Sequence, residues 1–318
     1  MTKLPARLLI VDDIHPVFAE KLTAKNIAFD YLPSIGKEEA LQIIPRYNGL
    51  VIRSKFKVDA AFMDAAPQLT FIARGGAGMD NIDEAHATKK GIALLNAPEG
   101  NRNAVGEHMV GMLLGLMNNL YRGNAEIRNG LWLREANRGL ELAGRTVALI
   151  GYGNNGGAMA RKLAGFDVKV IAYDKYKTGF SDEYATEATM EEVVQQADVV
   201  SLHIPLTADS RGMVDAAYLA RFHKPIFFLN GARGEIVQIP ALLAALDEGR
   251  VLGAAFDVLP IEKFPVLAEQ SWFEPLMAHE RVALSPHVAG WSVESYFKIA
   301  DVLVEKIIAH LAAEASAT

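Results

Sequence analysis

Three side chains in the second half of the sequence have the chemistry for one reaction. Arg233, Glu262 and His287 each lie within four residues of the end of a short apolar segment. An arginine can hold a carboxylate by two parallel hydrogen bonds, and a histidine can give or take a proton at a neighbouring oxygen. A glutamate beside the imidazole would fix its tautomer and raise its pKa. Although each residue alone is more often structural, the set predicts hydride transfer at a carbon bearing oxygen beside a carboxylate, with a nicotinamide supplying the redox chemistry.

A glycine-rich segment predicts where the nicotinamide cofactor binds. Gly151, Gly153 and Gly156 follow an apolar strand and open a helix, an arrangement that lets a pyrophosphate approach the backbone at the helix N-terminus. Asp174 ends the next predicted strand, 18 residues after Gly156, and its carboxylate would accept hydrogen bonds from the adenine ribose. Because this carboxylate would repel a 2′-phosphate, the sequence favours NAD over NADP, while two nearby lysines leave NADP open.

Two features of the first half predict the binding of anionic groups. Gly76, Ala77 and Gly78 follow a predicted strand, and a turn through them can direct successive backbone N–H groups at a substrate carboxylate, together with Arg233. A glycine-rich turn selected only for its backbone angles would give the same pattern. Arg53, at the end of another predicted strand, can bind a second anion such as a phosphate, while a surface ion pair is the commoner role of a solitary arginine.

Short apolar runs alternate with segments of helical length, which predicts an α/β fold of βαβ units with parallel sheets. Residues 104–124 are apolar and lack proline, so they predict a single buried helix between two groups of strands. Residues 292–315 have the apolar spacing of a final helix, which we expect to return to the first domain. The predicted strands are 7–12, 29–32, 49–54, 70–74 and 92–98 in the first half, and 147–151, 168–174, 199–204, 226–230, 253–258 and 281–286 in the second.

The length and composition fit a globular enzyme with two domains of ordinary size. The chain has 318 residues, of which 51% are hydrophobic and 22% charged, and its formal net charge is -6. Basic residues are scattered, so nothing indicates a nucleic-acid partner, and no apolar run reaches membrane-spanning length. The absence of cysteine excludes disulfides and thiolate chemistry. We therefore expect a cytoplasmic protein that acts on a small molecule without a metal ion.

Several motifs in a fixed order make the chain resemble the D-isomer-specific 2-hydroxyacid dehydrogenase family. The resemblance implies two doubly wound parallel-sheet domains: a Rossmann NAD-binding domain, residues 101–289, inserted into a flavodoxin-like substrate-binding domain formed by residues 1–100 and 290–318. It also implies a homodimer made mainly through the NAD-binding domain. The motifs are RGGAGMDNID, NAPEGNRNAVGEHMVGMLL, LAGRTVALIGYGNNGG, SLHIPLT, NGARGEIV, GAAFDVLPIE and SPHVAGWSVES.

The resemblance also implies roles for individual residues. Arg233, Glu262 and His287 would form the catalytic triad, and Asp257 would lie near the nicotinamide carboxamide. Further cofactor contacts are implied at Asn154, Asn155, His203, Ile204, Pro205 and Ala232.

Three residues depart from the usual family pattern. Gln238 stands where an acidic residue is common. Asn155 stands where Ile or Val is usual before the third glycine, and Gly231 stands where a small side chain such as Thr, Ser or Ala is usual. A polar Asn155 would loosen the contact with the pyrophosphate. None of the three departures touches the triad, and they bear more on substrate identity than on cofactor binding.

Within the family, the segments RSKFKVD and NAPEGNRNAVGE look most like those of D-3-phosphoglycerate dehydrogenases, which begin phosphorylated serine biosynthesis. Arg53 would then suit the substrate phosphate. Because the sequence ends at Thr318, we expect a short form without the C-terminal regulatory domain of feedback-inhibited relatives. The alternatives are a hydroxypyruvate or glyoxylate reductase or another D-2-hydroxyacid dehydrogenase and, from a different class, an NAD-sensing binding protein similar to corepressors that keep the triad.

Overall fold

Two parallel sheets organise the chain, each in its own compact unit. The computed structural model describes residues 6–316. One unit contains the described residues up to Asn101 together with those from Trp291 onward, and the other is Arg102–Gly290. Within the described residues, no helix combines the length and the apolar character needed to cross a membrane.

The bounds of the elements are as follows. The strands are β1 (Arg7–Ile10), β2 (Ala28–Tyr31), β3 (Gly49–Ile52), β4 (Phe71–Arg74), β5 (Ala93–Asn96), β6 (Thr146–Ile150), β7 (Lys169–Tyr173), β8 (Thr186–Glu187), β9 (Val199–Leu202), β10 (Ile226–Asn230), β11 (Val251–Phe256) and β12 (Val282–Leu284). The α-helices are α1 (Val17–Ala24), α2 (Lys37–Ile43), α3 (Ala60–Asp64), α4 (Glu84–Lys90), α5 (Pro98–Met117), α6 (Leu120–Arg128), α7 (Asn154–Leu163), α8 (Met190–Gln196), α9 (Ala216–Ala220), α10 (Ile239–Asp247), α11 (Phe273–Ala278) and α12 (Val293–Ser316).

The first unit contains a five-stranded parallel sheet in the order β2-β1-β3-β4-β5, which is the flavodoxin-like order. The predictions of five strands and of this fold are confirmed. The central strand β3 is buried at all four positions, as expected of a parallel sheet that is covered on both faces. Helix α12 belongs to the core of this unit, because Ile299, Leu303 and Ile307, which recur every four residues, are buried with strand residues such as Leu8.

The second unit contains a seven-stranded parallel sheet in the order β12-β11-β10-β9-β6-β7-β8. Counted within the unit, this is 7-6-5-4-1-2-3, the Rossmann order with one added strand, so the predicted fold class is confirmed. The six predicted strands are present. The sequence does not predict β8, because this edge strand has only two residues, both polar. The order reverses between β6 and β9, which opens a crevice beyond their carboxyl ends.

The prediction of one helix over residues 104–124 is wrong, because α5 and α6 are separate helices there. Asn119 between them has a φ of 52°, in the left-handed region that asparagine tolerates better than most residues. The ring of Tyr121 packs against α5 at Gly115, where a Cβ would lie 2.5 Å from Cε2 of the tyrosine. The apolar spacing continues across the break, so periodicity does not reveal it.

Candidate active site

The glycine-rich turn after β6 has one glycine for each of three steric requirements. Gly151 has a φ of 98°, and a Cβ there would lie 2.6 Å from the carbonyl oxygen of His203. At Gly156 a Cβ would lie 2.1 Å from the carbonyl oxygen of Gly151, so α7 packs directly on the turn. At Gly153, by contrast, an added Cβ would meet nothing in the described chain within 4 Å. The N-terminus of α7 is therefore open to a pyrophosphate at Gly153.

Asp174 follows β7 and is half-buried. Its Oδ2 accepts a hydrogen bond from the N–H of Tyr152 at 2.9 Å, and its Oδ1 accepts one from the N–H of Tyr176 at 2.9 Å. A carboxylate oxygen has two acceptor positions, so each oxygen can accept one further hydrogen bond. The carboxylate is thus held in place with capacity for two hydroxyl donors, as an adenine ribose requires.

The two lysines near Asp174 are engaged with other groups. The Nζ atom of Lys175 is 2.6 Å from Oδ2 of Asp209, and Nζ of Lys177 donates to the carbonyl oxygen of Tyr152 at 2.8 Å. A 2′-phosphate would compete with these partners and would face the Asp174 carboxylate. The arrangement favours NAD over NADP.

A cavity of about 430 Å³ opens beyond the carboxyl ends of β6, β7 and β9, where the strand order reverses. Six residues predicted to bind cofactor line it: Gly151, Gly153, Asp174, His203, Ile204 and Pro205. The lining does not include Asn154, Asn155, Gly156, Ala232 or Asp257. Among the lining residues that sequence reasoning did not identify are these six: Tyr176, Met190, Ser210, Met213, Tyr218 and Arg221. No motif marks these six, and only the order of the strands would have indicated their segments.

The His203 imidazole is neutral at physiological pH. Burial lowers its pKa to about 4. Its Nε2 lies 3.0 Å from Oγ of Ser201 and 3.2 Å from Sδ of Met159. His203 can therefore contact a ligand in the cavity as a neutral group, and it does not add a positive charge there.

His287 and Glu262 form a direct pair. The Nδ1 atom of His287 is 2.8 Å from Oε2 of Glu262. Because a carboxylate only accepts hydrogen bonds, Nδ1 carries the proton of this contact, and Nε2 is the nitrogen that can exchange a proton with another molecule. His287 itself has a φ of 55°, and its N–H donates to the carbonyl oxygen of Asp257 at 2.7 Å.

The charges around His287 favour its protonated form. The hydrogen bond to Glu262 raises the pKa of His287, and burial opposes this effect. The negative charges of Glu262 and Asp257 also raise this pKa, while the guanidinium of Arg233 lowers it. Two residues of the predicted triad, Glu262 and Arg233, therefore both act on the third, His287, within the second unit.

Asp257 stabilises the turn that contains His287 by hydrogen bonds. The side chain is 2% exposed, and its Oδ1 accepts hydrogen bonds from Oγ of Ser285 at 2.6 Å and from the N–H of Val288 at 2.9 Å. Its Oδ2 accepts from the N–H of Ala289 at 2.8 Å. These bonds satisfy much of a buried charge within the chain. A contact between Asp257 and the nicotinamide carboxamide stays a prediction.

Arg233 is held by the residues around it. The buried Asn230 accepts from the N–H of Ala232 at 3.0 Å and donates to the carbonyl oxygen of Arg233 at 2.9 Å, which fixes the turn after β10. The Nη1 atom of Arg233 donates to the carbonyl oxygen of Ala232 at 2.6 Å. A Cβ on Gly234 would lie 1.9 Å from the carbonyl carbon of Leu259, so the loops bearing Arg233 and Glu262 touch through their backbones.

In the first unit, Arg53 is stacked on an aromatic ring. Its guanidinium carbon lies 4.1 Å from the ring centroid of Trp291, and its Nη1 donates to the carbonyl oxygen of Asp13 at 3.0 Å. The Oδ2 atom of Asp12 accepts from three successive N–H groups, those of Arg53, Ser54 and Lys55, at 3.0, 2.9 and 3.0 Å. Arg53 is therefore fixed at both its backbone and its side chain.

The predicted glycine nest lies next to Arg53, since a Cβ on Gly75 would lie 2.8 Å from Cγ of Arg53. The N–H of Gly76 donates to the carbonyl oxygen of Arg74 at 2.9 Å and is already engaged. For the N–H groups of Ala77 and Gly78, the described chain provides no acceptor. Of the three residues predicted to form the nest, these two have N–H groups that remain for a ligand.

Residues 110–289 match the family model described as the NAD-binding domain of D-isomer-specific 2-hydroxyacid dehydrogenases. The chain belongs to this family. It is therefore an NAD-dependent oxidoreductase that acts on CH–OH groups, and the predicted family and cofactor are confirmed.

The dehydrogenase is similar along most of its length to proteins of known name. It is 34% identical over 277 residues to a hydroxypyruvate reductase of Thermotoga maritima, a match that covers 86% of this chain and 88% of that protein. It is 29% identical over 307 residues to a D-3-phosphoglycerate dehydrogenase of Archaeoglobus fulgidus, covering 95% of this chain and 56% of that one, so it spans just over half of that relative. Among solved structures, the TT0316 protein of Thermus thermophilus has a TM-score of 0.82 and 28% identity, with 96% of this chain and 97% of that chain covered.

The structure explains one of the three departures of this dehydrogenase from the usual family pattern, the glycine at position 231. A Cβ on Gly231 would lie 2.6 Å from Sδ of Met109, so the methionine occupies the space that a side chain would take. Asn155 has a buried Oδ1 that accepts no hydrogen bond from the described residues, and nothing else in the structure accounts for this residue.

Proposed function

We propose that Arg233, Glu262 and His287 are the catalytic residues of this dehydrogenase. The observation that carries the proposal is the 2.8 Å contact between Nδ1 of His287 and Oε2 of Glu262, which defines the tautomer and leaves Nε2 for proton transfer. The turn after β10 supports the same assignment, because it holds Arg233 close enough to influence the charge of His287.

Each residue would have a distinct task in the reaction. Arg233 would hold the substrate carboxylate by paired N–H groups. In reduction, protonated His287 would donate its Nε2 proton to the 2-oxo oxygen, and in oxidation neutral His287 would accept the proton of the 2-hydroxyl. Glu262 would stabilise the imidazolium and hold the ring. Bound NAD supplies or accepts the hydride at C2 of the substrate.

We further propose 3-phosphoglycerate, oxidised to 3-phosphohydroxypyruvate, as the substrate. Arg53 supports this choice, because stacking on Trp291 fixes a guanidinium whose Nε and Nη2 have no acceptor among the described residues. The N–H groups of Ala77 and Gly78 lie in the loop that packs on Arg53. These groups are donors of the kind that a doubly anionic acid requires. The phosphoglycerate dehydrogenase relative supports the same substrate.

A second candidate is reduction of hydroxypyruvate or glyoxylate. Oδ2 of Asp13 lies 3.8 Å from Nη1 of Arg53, and this negative charge partly offsets the charge that would attract a phosphate. The hydroxypyruvate reductase relative, matched along 88% of its own length, also supports this reading.

Steady-state kinetics with NADH would separate the two candidates. We would compare kcat/KM for 3-phosphohydroxypyruvate, hydroxypyruvate, glyoxylate and pyruvate. A preference of about 100-fold for the phosphorylated acid, which is about 2.7 kcal/mol, would support phosphoglycerate as substrate, and Arg53→Gln should remove most of it. The control Arg46→Gln, at an exposed arginine of the same unit, should change none of the four values.

Other outcomes would contradict specific parts of the proposal. A preference for hydroxypyruvate or glyoxylate that Arg53→Gln does not alter would exclude the phosphate assignment and leave the triad in place. Absence of turnover with any of the four acids, in protein that binds NADH, would contradict this choice of substrates and favour a cofactor-sensing role.

We also propose that the dehydrogenase is a homodimer that associates through its second unit. A segment formed by α6 and the residues after it exposes many large apolar side chains, and Trp132 is 76% exposed. Surfaces of this kind mark sites of protein association. The exposed apolar residues of the segment are Leu120, Tyr121, Ile127, Leu131, Trp132, Leu133 and Leu140.

A further inference from the structure

The hydrogen bonds of Asp257, which hold the turn that contains His287, continue through two further side chains, those of Ser285 and His108. The Nε2 atom of His108, on α5, is 2.8 Å from Oγ of Ser285, and this Oγ is 2.6 Å from Oδ1 of Asp257. The distance from Nε2 of His108 to Oδ1 of Asp257 is 3.6 Å. His108 and Ser285 belong neither to the proposed triad nor to the lining of the cofactor cavity.

The direction of these hydrogen bonds follows from the groups involved. A carboxylate only accepts, so the single hydroxyl proton of Ser285 goes to Asp257 at 2.6 Å. The thioether of Met112, 3.6 Å from the same Oγ, is a weaker acceptor. The Ser285 oxygen must then accept from His108, which places a proton on Nε2 of that imidazole. The two hydrogen bonds therefore point the same way: His108 donates to Ser285, and Ser285 donates to Asp257.

Asp257 connects these two side chains to the turn that contains His287. The buried carboxylate accepts from the N–H groups of Val288 and Ala289, directly after His287 in the sequence. The carbonyl oxygen of Asp257 accepts the N–H of His287 itself. His287 has a φ of 55°, a conformation that non-glycine residues seldom adopt, so its turn depends on these bonds.

We propose that His108 is a positioning residue for His287, acting through Ser285 and Asp257 without touching substrate or cofactor. By donating to Ser285, it keeps the hydroxyl proton directed at Asp257, and so keeps the carboxylate in the rotamer that closes the turn. The proposal rests on the proposed function, in which His287 transfers the proton.

Loss of the His108 donor would lower kcat more than it changes binding. Ser285 would become free to rotate, Oδ1 of Asp257 would lose its shortest partner, and the turn would hold the imidazole less closely. Misplacement of a catalytic group by about 1 Å can cost about 100-fold in rate. We expect His108→Leu to lower kcat by about tenfold to 100-fold, with KM for the 2-oxo acid and Kd for NADH within about twofold of wild type.

The experiment compares matched variants of the full chain. His108→Gln retains an N–H donor near the position of Nε2 and should recover most of kcat, whereas His108→Leu should not. Ser285→Ala should lower kcat as His108→Leu does, and Ser285→Thr should preserve it. The control His223→Leu removes an exposed histidine of the same unit and should leave kcat unchanged. Thermal unfolding of every variant would be measured alongside the kinetics.

A double-mutant cycle with His287→Ala separates this proposal from the proposed function. If His108 acts through His287, His108→Leu should lower kcat in the wild-type background and have little further effect in the His287→Ala background. Equal loss in both backgrounds, or kcat unchanged by both His108→Leu and Ser285→Ala, would overturn the positioning role. If His287→Ala alone retained full kcat, the proposed function itself would fail, whatever His108→Leu does.

Discussion

The Nδ1 atom of His287 and the Oε2 atom of Glu262 lie 2.8 Å apart, although the residues follow different strands and are 25 positions apart in the sequence. This contact fixes the ring, selects the tautomer and raises the pKa of His287. The two side chains are 48% and 41% exposed, so solvent screens their attraction and the pair adds little to the free energy of unfolding. Its main effect is on the proton that His287 carries.

Replacing Glu262 should move the pH dependence of the reaction to lower pH. Reduction requires protonated His287, so kcat/KM is full below the pKa of His287 and falls as pH rises through it. The hydrogen bond to Glu262 raises this pKa above 6.5, and Glu262→Gln removes the negative charge that does so. We expect the falling limb of the kcat/KM profile for a 2-oxo acid to shift toward lower pH in this variant.

The profile would be measured with NADH in buffers of constant ionic strength. Glu269→Gln, at an exposed glutamate of the same unit, provides the control and should keep the wild-type profile. A falling limb that stays at the same pH in Glu262→Gln would show that Glu262 does not set the protonation of His287.

Substitution of Gly153 tests the cofactor site, and the same substitution at Gly157 provides the matched control. An added Cβ at Gly153 meets nothing in the described chain, so Gly153→Ala should fold normally, but the methyl group would occupy the approach of the pyrophosphate. We expect Kd for NADH, measured by fluorescence titration, to rise about tenfold or more. At Gly157 the nearest atom is Cζ of Tyr152 at 4.0 Å, and Gly157→Ala should leave Kd unchanged while adding up to about 1 kcal/mol of helix propensity. Wild-type affinity in Gly153→Ala would place the pyrophosphate elsewhere.

The parts of the fold that the sequence predicts are those fixed by local pattern. Short apolar runs predict eleven of the twelve strands in residues 6–316, because a parallel sheet covered on both faces needs continuous apolar segments. The strand β8 has two polar residues and pairs with β7 at the edge of the sheet, so it leaves no such pattern. The break at Asn119 is also invisible to periodicity, since it depends on one backbone angle and on the ring of Tyr121 packing at Gly115.

In the candidate site, too, the sequence predicts the features that depend on local spacing and misses those that depend on the folded chain. The glycine turn and Asp174 are visible in the sequence because their spacing along one βαβ unit is the signal. The hydrogen bonds around Asp257 are not visible, because the residues that form them lie on α5 and in the segments after β11 and β12, and meet only when the strands are ordered. His108 and Ser285 are 177 positions apart, and no spacing rule connects them. The partners of Arg53, which determine how much positive charge it offers a ligand, likewise become known only from the folded chain.

A charge within the exposed apolar segment of the second unit should separate the proposed homodimer into monomers. Trp132 is 76% exposed, and a tryptophan at the centre of an interface contributes about 2 kcal/mol or more, which is about thirtyfold in Kd. By light scattering, the wild-type chain should have twice its mass of 34.6 kDa, and Trp132→Asp should shift toward 34.6 kDa with unchanged thermal unfolding of the monomer fold. The control Val266→Asp introduces the same charge at an exposed valine of the same unit outside the segment and should remain dimeric. A dimer that survives Trp132→Asp at micromolar concentration would place the interface on another surface.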